Sequence, residues 1–193
     1  MPARISIARQ QLVQFAMMGS VYSRAILGRE RPVVGLLSIG GEDTKGNDVT
    51  KKTFAALQKS PLNFRGNVEG RDIFEGDTDV VVCDGFVGNI VLKTSESTAT
   101  AVTSWLKREL TANWIRKSAC LLLRGAFKSL KQQLDPESYG GAPLLGVNGV
   151  CIIAHGRSSR HAVYHAIRVA AESVQCHVNE DIVNGIASLE SIT

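Results

Sequence analysis

The sequence predicts an α/β protein, a layered αβα arrangement around a mostly parallel sheet, formed as a single unit across all 193 residues. Three observations carry that expectation. Short apolar runs at 33–39, 78–83 and 149–154 have the composition of strands covered on both faces. Segments with helical periodicity separate them. Polar loops, mostly glycine-containing, follow each run directly, where an open parallel sheet gathers its functional groups.

The opening helix is expected over 11–27, because Leu12, Phe15, Ala16, Gly19, Tyr22 and Ile26 recur at three- and four-residue spacing on one packed face. Gly28 ends it, and Arg31-Pro32 leads into the first strand, 33–39. A glycine-rich loop, 40–47, precedes a helix over 48–57, which Ser60-Pro61 stops. The next strand, 78–83, ends at the turn 84–89. A long helical region starts near Ile90 and runs toward Leu134 with a break at 111–113, forming a protruding basic hairpin at about 105–135. Residues 139–143 read as a turn and 149–154 as a third buried strand. Ser158 is the expected cap of the last helix, which carries Ala162, Ile167, Val169 and Ala170. Only three or four strands are foreseen, so the sheet is thin. The loops 40–47, 84–89 and 155–159 are expected to converge on one edge.

Hydrophobic residues are 44% and charged residues 21% of the chain, enough apolar content to build a core. No apolar run reaches the roughly 18 residues a membrane-spanning helix needs, and the first ten residues lack an apolar secretion core. A cytoplasmic chain is expected. Cys83, Cys120, Cys151 and Cys176 are widely separated, without CxxC or zinc-ligand spacing, and read as reduced, mostly packed thiols. A net charge of +4 is too mild for nucleic-acid binding and compatible with an acidic partner or an anionic substrate.

The loops suggest anion chemistry. Lys45 and Gly46 sit just ahead of a helix, where unpaired N–H groups favour phosphate, although the stretch lacks the GxxxxGK[ST] spacing and by itself also reads as a solvated surface turn. Asn89 and Lys93 accompany the start of another helix, where an amide and an ammonium can hold an anion or a developing oxyanion; the alternative is that Asp84 and Asn89 merely cap backbone. His155 ends the third strand as an acid/base or phosphate-donor candidate, the alternative being a histidine merely hydrogen-bonded in place. His161 and His165 share a helix face without an evident third ligand, and no metal site is expected.

Four segments in order, VVGLLSIGGEDTKGN (33–47), NFRGNVEGRD (63–72), DVVVCDGFVGNIVLK (79–93) and YGGAPLLGVNG (139–149), closely resemble the bacterial phosphate acyltransferase family of phospholipid synthesis. The resemblance runs from about Leu12 to about Ala171, and the chain is similar to the C-terminal portion of that family, without its longer N-terminal part. It implies a fold similar to phosphotransacetylases and the isocitrate dehydrogenase group, with a cleft between α/β lobes and an intimate homodimer. The implied reaction takes acyl-(acyl carrier protein) and inorganic phosphate to acyl phosphate and free carrier protein, with no metal or organic cofactor. The implied roles are anion or phosphate binding for Lys45, Gly46, Arg71, Lys93 and His155. Asn67, Glu69, Asp84 and Asn89 would shape the catalytic cleft. The alternatives are a non-catalytic carrier-protein or membrane-binding fragment and an enzyme acting on coenzyme A thioesters, the latter disfavoured by Glu69-Gly70-Arg71 and the 139–143 segment.

Between 110 and 134 the chain carries Arg116, Lys117, Arg124, Lys128 and Lys131 and no acid. Leu123, Phe127, Leu130 and Leu134 share one helical face, with Trp114 and Ile115 upstream. Such a basic amphipathic segment suits an anionic bilayer surface. Leu123, Phe127 and Leu130 are the expected membrane-facing residues, unless these side chains instead form a dimer core.

Overall fold

The computed structural model describes residues 2–123, 125, 127, 141–154, 156 and 158–190. In chain order these form α1 (Pro2–Leu27), β1 (Val33–Leu37), α2 (Asp48–Leu57), β2 (Asn63–Val68), α3 (Asp72–Glu75), β3 (Val80–Val82), α4 (Gly85–Leu110), α5 (Trp114–Leu122), β4 (Ala142–Pro143), β5 (Ile152–Ile153), α6 (Arg160–Gln175) and α7 (Val178–Glu190). The α/β class is as expected. Leu130, Leu134, Tyr139 and His155 lie outside the described residues.

A three-stranded parallel sheet in the order β2-β1-β3 is the centre of the molecule. Val34 and Leu36 point toward one face of β1 and are fully buried, packed in one core with Leu12, Ala16, Phe54, Leu57 and Val82 from α1, α2 and β3. Each fully buried Val or Leu contributes about 1.5–3 kcal/mol of transfer free energy. Gly19 lets α1 approach β3 closely, since a Cβ there would lie 2.6 Å from Val80 Cγ1. Another side of α1 packs Met17 and Val21 against Val178 and Ile182 of α7, so this one helix joins two cores. Phe15 departs from the expected packed face. It is 47% exposed because it lies at the open edge past the strand ends rather than over the sheet.

β2 has no apolar run of its own, yet it pairs along β1 with a register shift that leaves Arg65 out of the ladder. By contrast, the expected buried strand 149–154 is corrected. Only Ile152–Ile153 is extended there, paired antiparallel with Ala142–Pro143, and Ile153 is 54% exposed. The short ribbon is separate from the parallel sheet, so residues 155–159 do not follow one of its strands. Ala142–Pro143, expected as a turn, is the other half of that ribbon. Ser159, one residue beyond the expected Ser158, caps α6: its backbone is extended and its side chain accepts from the Ala162 N–H. Nor is α6 the last helix, since α7 follows after a link in which His177 adopts φ 52°. The cysteines are free, but Cys151 and Cys176 are exposed, which corrects the expectation of mostly packed thiols.

α4 and α5 match the expected helical region and its break at 111–113 as far as Leu122, with α4 starting at Gly85 and not near Ile90; Arg124, Lys128 and Lys131 of the expected basic stretch lie outside the described residues. None of the side chains of α4 is buried, and Val102, Trp105 and Leu106 stand exposed on it. Among the described residues, no helix is long and apolar enough to cross a membrane.

Candidate functional site

The site is built at the carboxyl ends of β1 and β3, on either side of the point where the chain reverses its direction of winding. β1 leads through Ser38, whose N–H still donates to the Val68 carbonyl at 2.9 Å, into the glycine-rich loop 40–47. Two side chains at the end of β2 hold that loop. Asn67 Nδ2 donates to the Glu42 carbonyl at 2.8 Å, and the Gly41 N–H donates to Glu69 Oε1 at 3.0 Å. Glu69 is itself oriented by a compact turn in which its N–H donates to buried Asp72 at 2.6 Å. The loop closes with Gly46 at φ +103°, a conformation that favours glycine. Asn47 then caps α2 by accepting from the Thr50 N–H at 2.9 Å.

On the other side, β3 delivers Cys83 and Asp84. Asp84 Oδ1 accepts from the N–H groups of Phe86 and Val87, both at 2.9 Å, and so starts α4. Residues 85–89 are thus the first turn of α4 and not the expected turn, and between the glycine-rich loop and this helix start lies a cavity of about 550 Å³. Leu12, Phe15, Leu36, Val49, Val87 and Val91 give it an apolar wall, and Ser38, Gly46, Asn47, Thr50, Gly70 and Asp84 a polar rim. Ser38 Oγ and Asn67 Oδ1 are buried beside this rim with no hydrogen-bond partner among the described residues. Cys83, also in the lining, has its thiol pKa pushed up by burial and then by the neighbouring Asp84 carboxylate. Both causes favour the thiol over the thiolate.

Of the residues expected from sequence, Gly46 and Asp84 line the cavity, while Asn67 and Glu69 act on it through the loop they hold. Lys45 is exposed on that loop, and Arg71 is exposed at the start of α3, 3.9 Å from Asp72. Asn89 and Lys93 are exposed on α4. Lys93 is about 12 Å along the helix axis from Gly85 by the ordinary rise per residue. Leu123 is exposed and Phe127 half-buried, both past the end of α5. Sequence reasoning passed over Phe15, Ser38, Asn47, Thr50 and Cys83. For Ser38, Asn47, Thr50 and Cys83 the signal available was their position at strand and helix ends beside the glycine-rich segments; Phe15, in the middle of α1, offered none.

Comparisons with known proteins identify relatives for nearly the whole chain. The family described as "Fatty acid synthesis protein" matches residues 1–181. A phosphate acyltransferase of Pelotomaculum thermopropionicum is 50% identical over 188 residues, covering 97% of this chain and 55% of the relative. Phosphate acyltransferases of Pelobacter propionicus and Desulfitobacterium hafniense are each 52% identical, over 176 and 174 residues, covering 91% and 90% of this chain and 51% and 52% of theirs. The chain thus spans about half the length of the curated relatives it matches. With a match reaching from residue 1 to residue 181, and with the glycine-rich loops of that region assembled around one cavity, this chain belongs to the fatty acid synthesis protein family.

Proposed function

We propose that this chain forms one wall of an active site that transfers an acyl group from a thioester on acyl carrier protein to inorganic phosphate. The observation that carries the reading is the β1/β3 cavity, apolar along one side and rimmed by a clamped glycine-rich loop, in a chain about 50% identical to phosphate acyltransferases. The apolar wall suits the acyl chain. The loop 40–47 with Lys45, and Arg71 beside it, suits phosphate, with Asn89, Lys93 and His155 as further anion contacts.

In this reaction a phosphate oxygen attacks the thioester carbonyl carbon, the C–S bond breaks, and the carrier thiol departs with the proton that phosphate gives up. Direct attack by phosphate needs no covalent acyl-enzyme intermediate and is the simpler route. Positioning and oxyanion stabilisation then supply the catalysis. No metal or organic cofactor takes part. We read the layering as one lobe of a phosphotransacetylase-like fold, with a second copy of the chain covering the exposed α4 stripe in a homodimer.

The experiment is to add acyl-(acyl carrier protein) and phosphate to the purified chain and look for acyl phosphate, with an acyl coenzyme A in a parallel arm. Product from the carrier-protein substrate supports the reading. Product from coenzyme A alone favours that donor, and carrier-protein binding without product favours a non-catalytic module. A second reading, peripheral binding to anionic membrane through the α4–α5 hairpin, rests on its exposed Trp114, Ile115 and Leu123 beside Arg116 and Lys117.

A further inference from the structure

We propose that His161 and His165 form a bidentate site for a divalent transition metal on the outer surface of α6, away from the cavity between β1 and β3. The pair stands at i and i+4 of the helix, where side chains lie one above the other on one face. Their Nε2 atoms are 3.2 Å apart, and the rings meet edge to face at 4.4 Å.

That separation is what a chelate requires. Two metal–nitrogen bonds of about 2.05 Å hold their nitrogens about 2.9 Å apart at a right angle and about 3.3 Å apart at the tetrahedral angle. The observed distance falls between these limits, so a small rotation of the rings converts the contact into a two-nitrogen grip. His161 is exposed and admits the ion from solvent. Tyr164 lies edge-on to His165 with ring centroids 5.5 Å apart. Among the described residues, no group of three or more His, Cys, Asp or Glu side chains could hold a metal, so water completes the coordination.

Two features make the affinity modest. His165 Nδ1 is buried without a hydrogen-bond partner, and metal on Nε2 places the ring proton on that atom, without the outer-shell acceptor that strong sites provide. The ion also sits in the first two turns of α6, near the positive end of the helix dipole. Nitrogen donors with open positions favour Cu²⁺ over Ni²⁺ and Zn²⁺.

The test is a calorimetric titration with Ni²⁺ of untagged chain carrying Cys151→Ser and Cys176→Ser, which removes the exposed thiols as competing ligands. One Ni²⁺ per chain is expected. His161→Ala and His165→Ala should each weaken binding by roughly tenfold or more, because each removes one arm of the chelate. His177→Ala, which removes an exposed histidine elsewhere, should leave it unchanged, and circular dichroism should show helix retained in every variant. No saturable Ni²⁺ binding overturns the site, as does affinity that survives either His161→Ala or His165→Ala. Loss of binding in His177→Ala assigns the metal elsewhere and also overturns it.

Discussion

The Nδ2 of Asn67 donates a 2.8 Å hydrogen bond to the carbonyl oxygen of Glu42, tying the middle of the glycine-rich loop to the end of β2. With Glu69 accepting from the Gly41 N–H, the loop is held at two adjacent points by the neighbouring strand. Asn67→Ala leaves a carbonyl without its donor and is expected to cost about 1–3 kcal/mol. Hydrogen exchange should show faster exchange of the loop amides while β1 stays protected. Unchanged exchange across 40–47 would remove the clamp from the account.

Gly19 provides the close approach of α1 to β3. Gly19→Ala places a methyl 2.6 Å from Val80 Cγ1 and should destabilise by about 1–3 kcal/mol through overpacking. Gly70→Ala, where an added Cβ meets nothing within 4 Å, should be near neutral. Thermal melting of the two variants beside the parent checks the contrast.

Cys83 should titrate late. Burial, followed by the Asp84 carboxylate, raises its thiol above the ordinary range, so iodoacetamide should modify exposed Cys151 and Cys176 first at pH 8. A thiol that binds its proton more tightly in the folded state adds stability below the unfolded thiol's range, and this is lost as pH rises through the folded value. The loss therefore falls on the alkaline side. Asp84→Asn keeps a capping side chain but removes the second cause, and should speed alkylation of Cys83 by a measurable factor. Equal rates in parent and variant would exclude the Asp84 contribution.

If Arg71 binds phosphate in the proposed reaction, Arg71→Lys should raise the KM for phosphate by roughly tenfold, because an ammonium cannot reproduce a two-pronged guanidinium contact. The KM for the acyl donor should move little. A variant with an unaltered phosphate dependence would take Arg71 out of the site.

Leu123→Glu and Phe127→Glu should each reduce co-sedimentation with anionic vesicles while leaving the oligomeric state unchanged, and high salt should reduce binding of the parent. A parent chain that ignores anionic vesicles at low salt would end the membrane reading. An altered oligomeric state in these variants would instead assign the two side chains to a subunit interface.

Much of the fold was legible where a segment's own residues dictate its state. The runs around Val34 and Leu36 and around Val80 and Val82 are strands because β-branched and aliphatic residues in short stretches fit a covered pleated surface. The helices at α2 and α4 were legible from periodicity, and the break between α4 and α5 from its polar residues. The four motifs placed the chain in its family, since they depend on residue identity alone. β2 was not legible, because NFRGNV carries a charge, a glycine and an amide and becomes extended only when β1 supplies hydrogen-bond partners.

The opposite error occurred at 149–154, where apolar composition suggested a buried parallel strand but the observed partner is the short Ala142–Pro143 segment at the surface. Composition reports that a segment tolerates burial, not which strand it meets. The same distinction divides the site. The residue types at 40–47 and 84–89 announced anion chemistry, whereas the grip of Asn67 and Glu69 on the loop, the exposure of Phe15 and the burial that raises the Cys83 thiol arose from packing between distant segments. A side chain's chemistry belongs to its residue, while its partners and its dielectric surroundings exist only once the chain has closed around it.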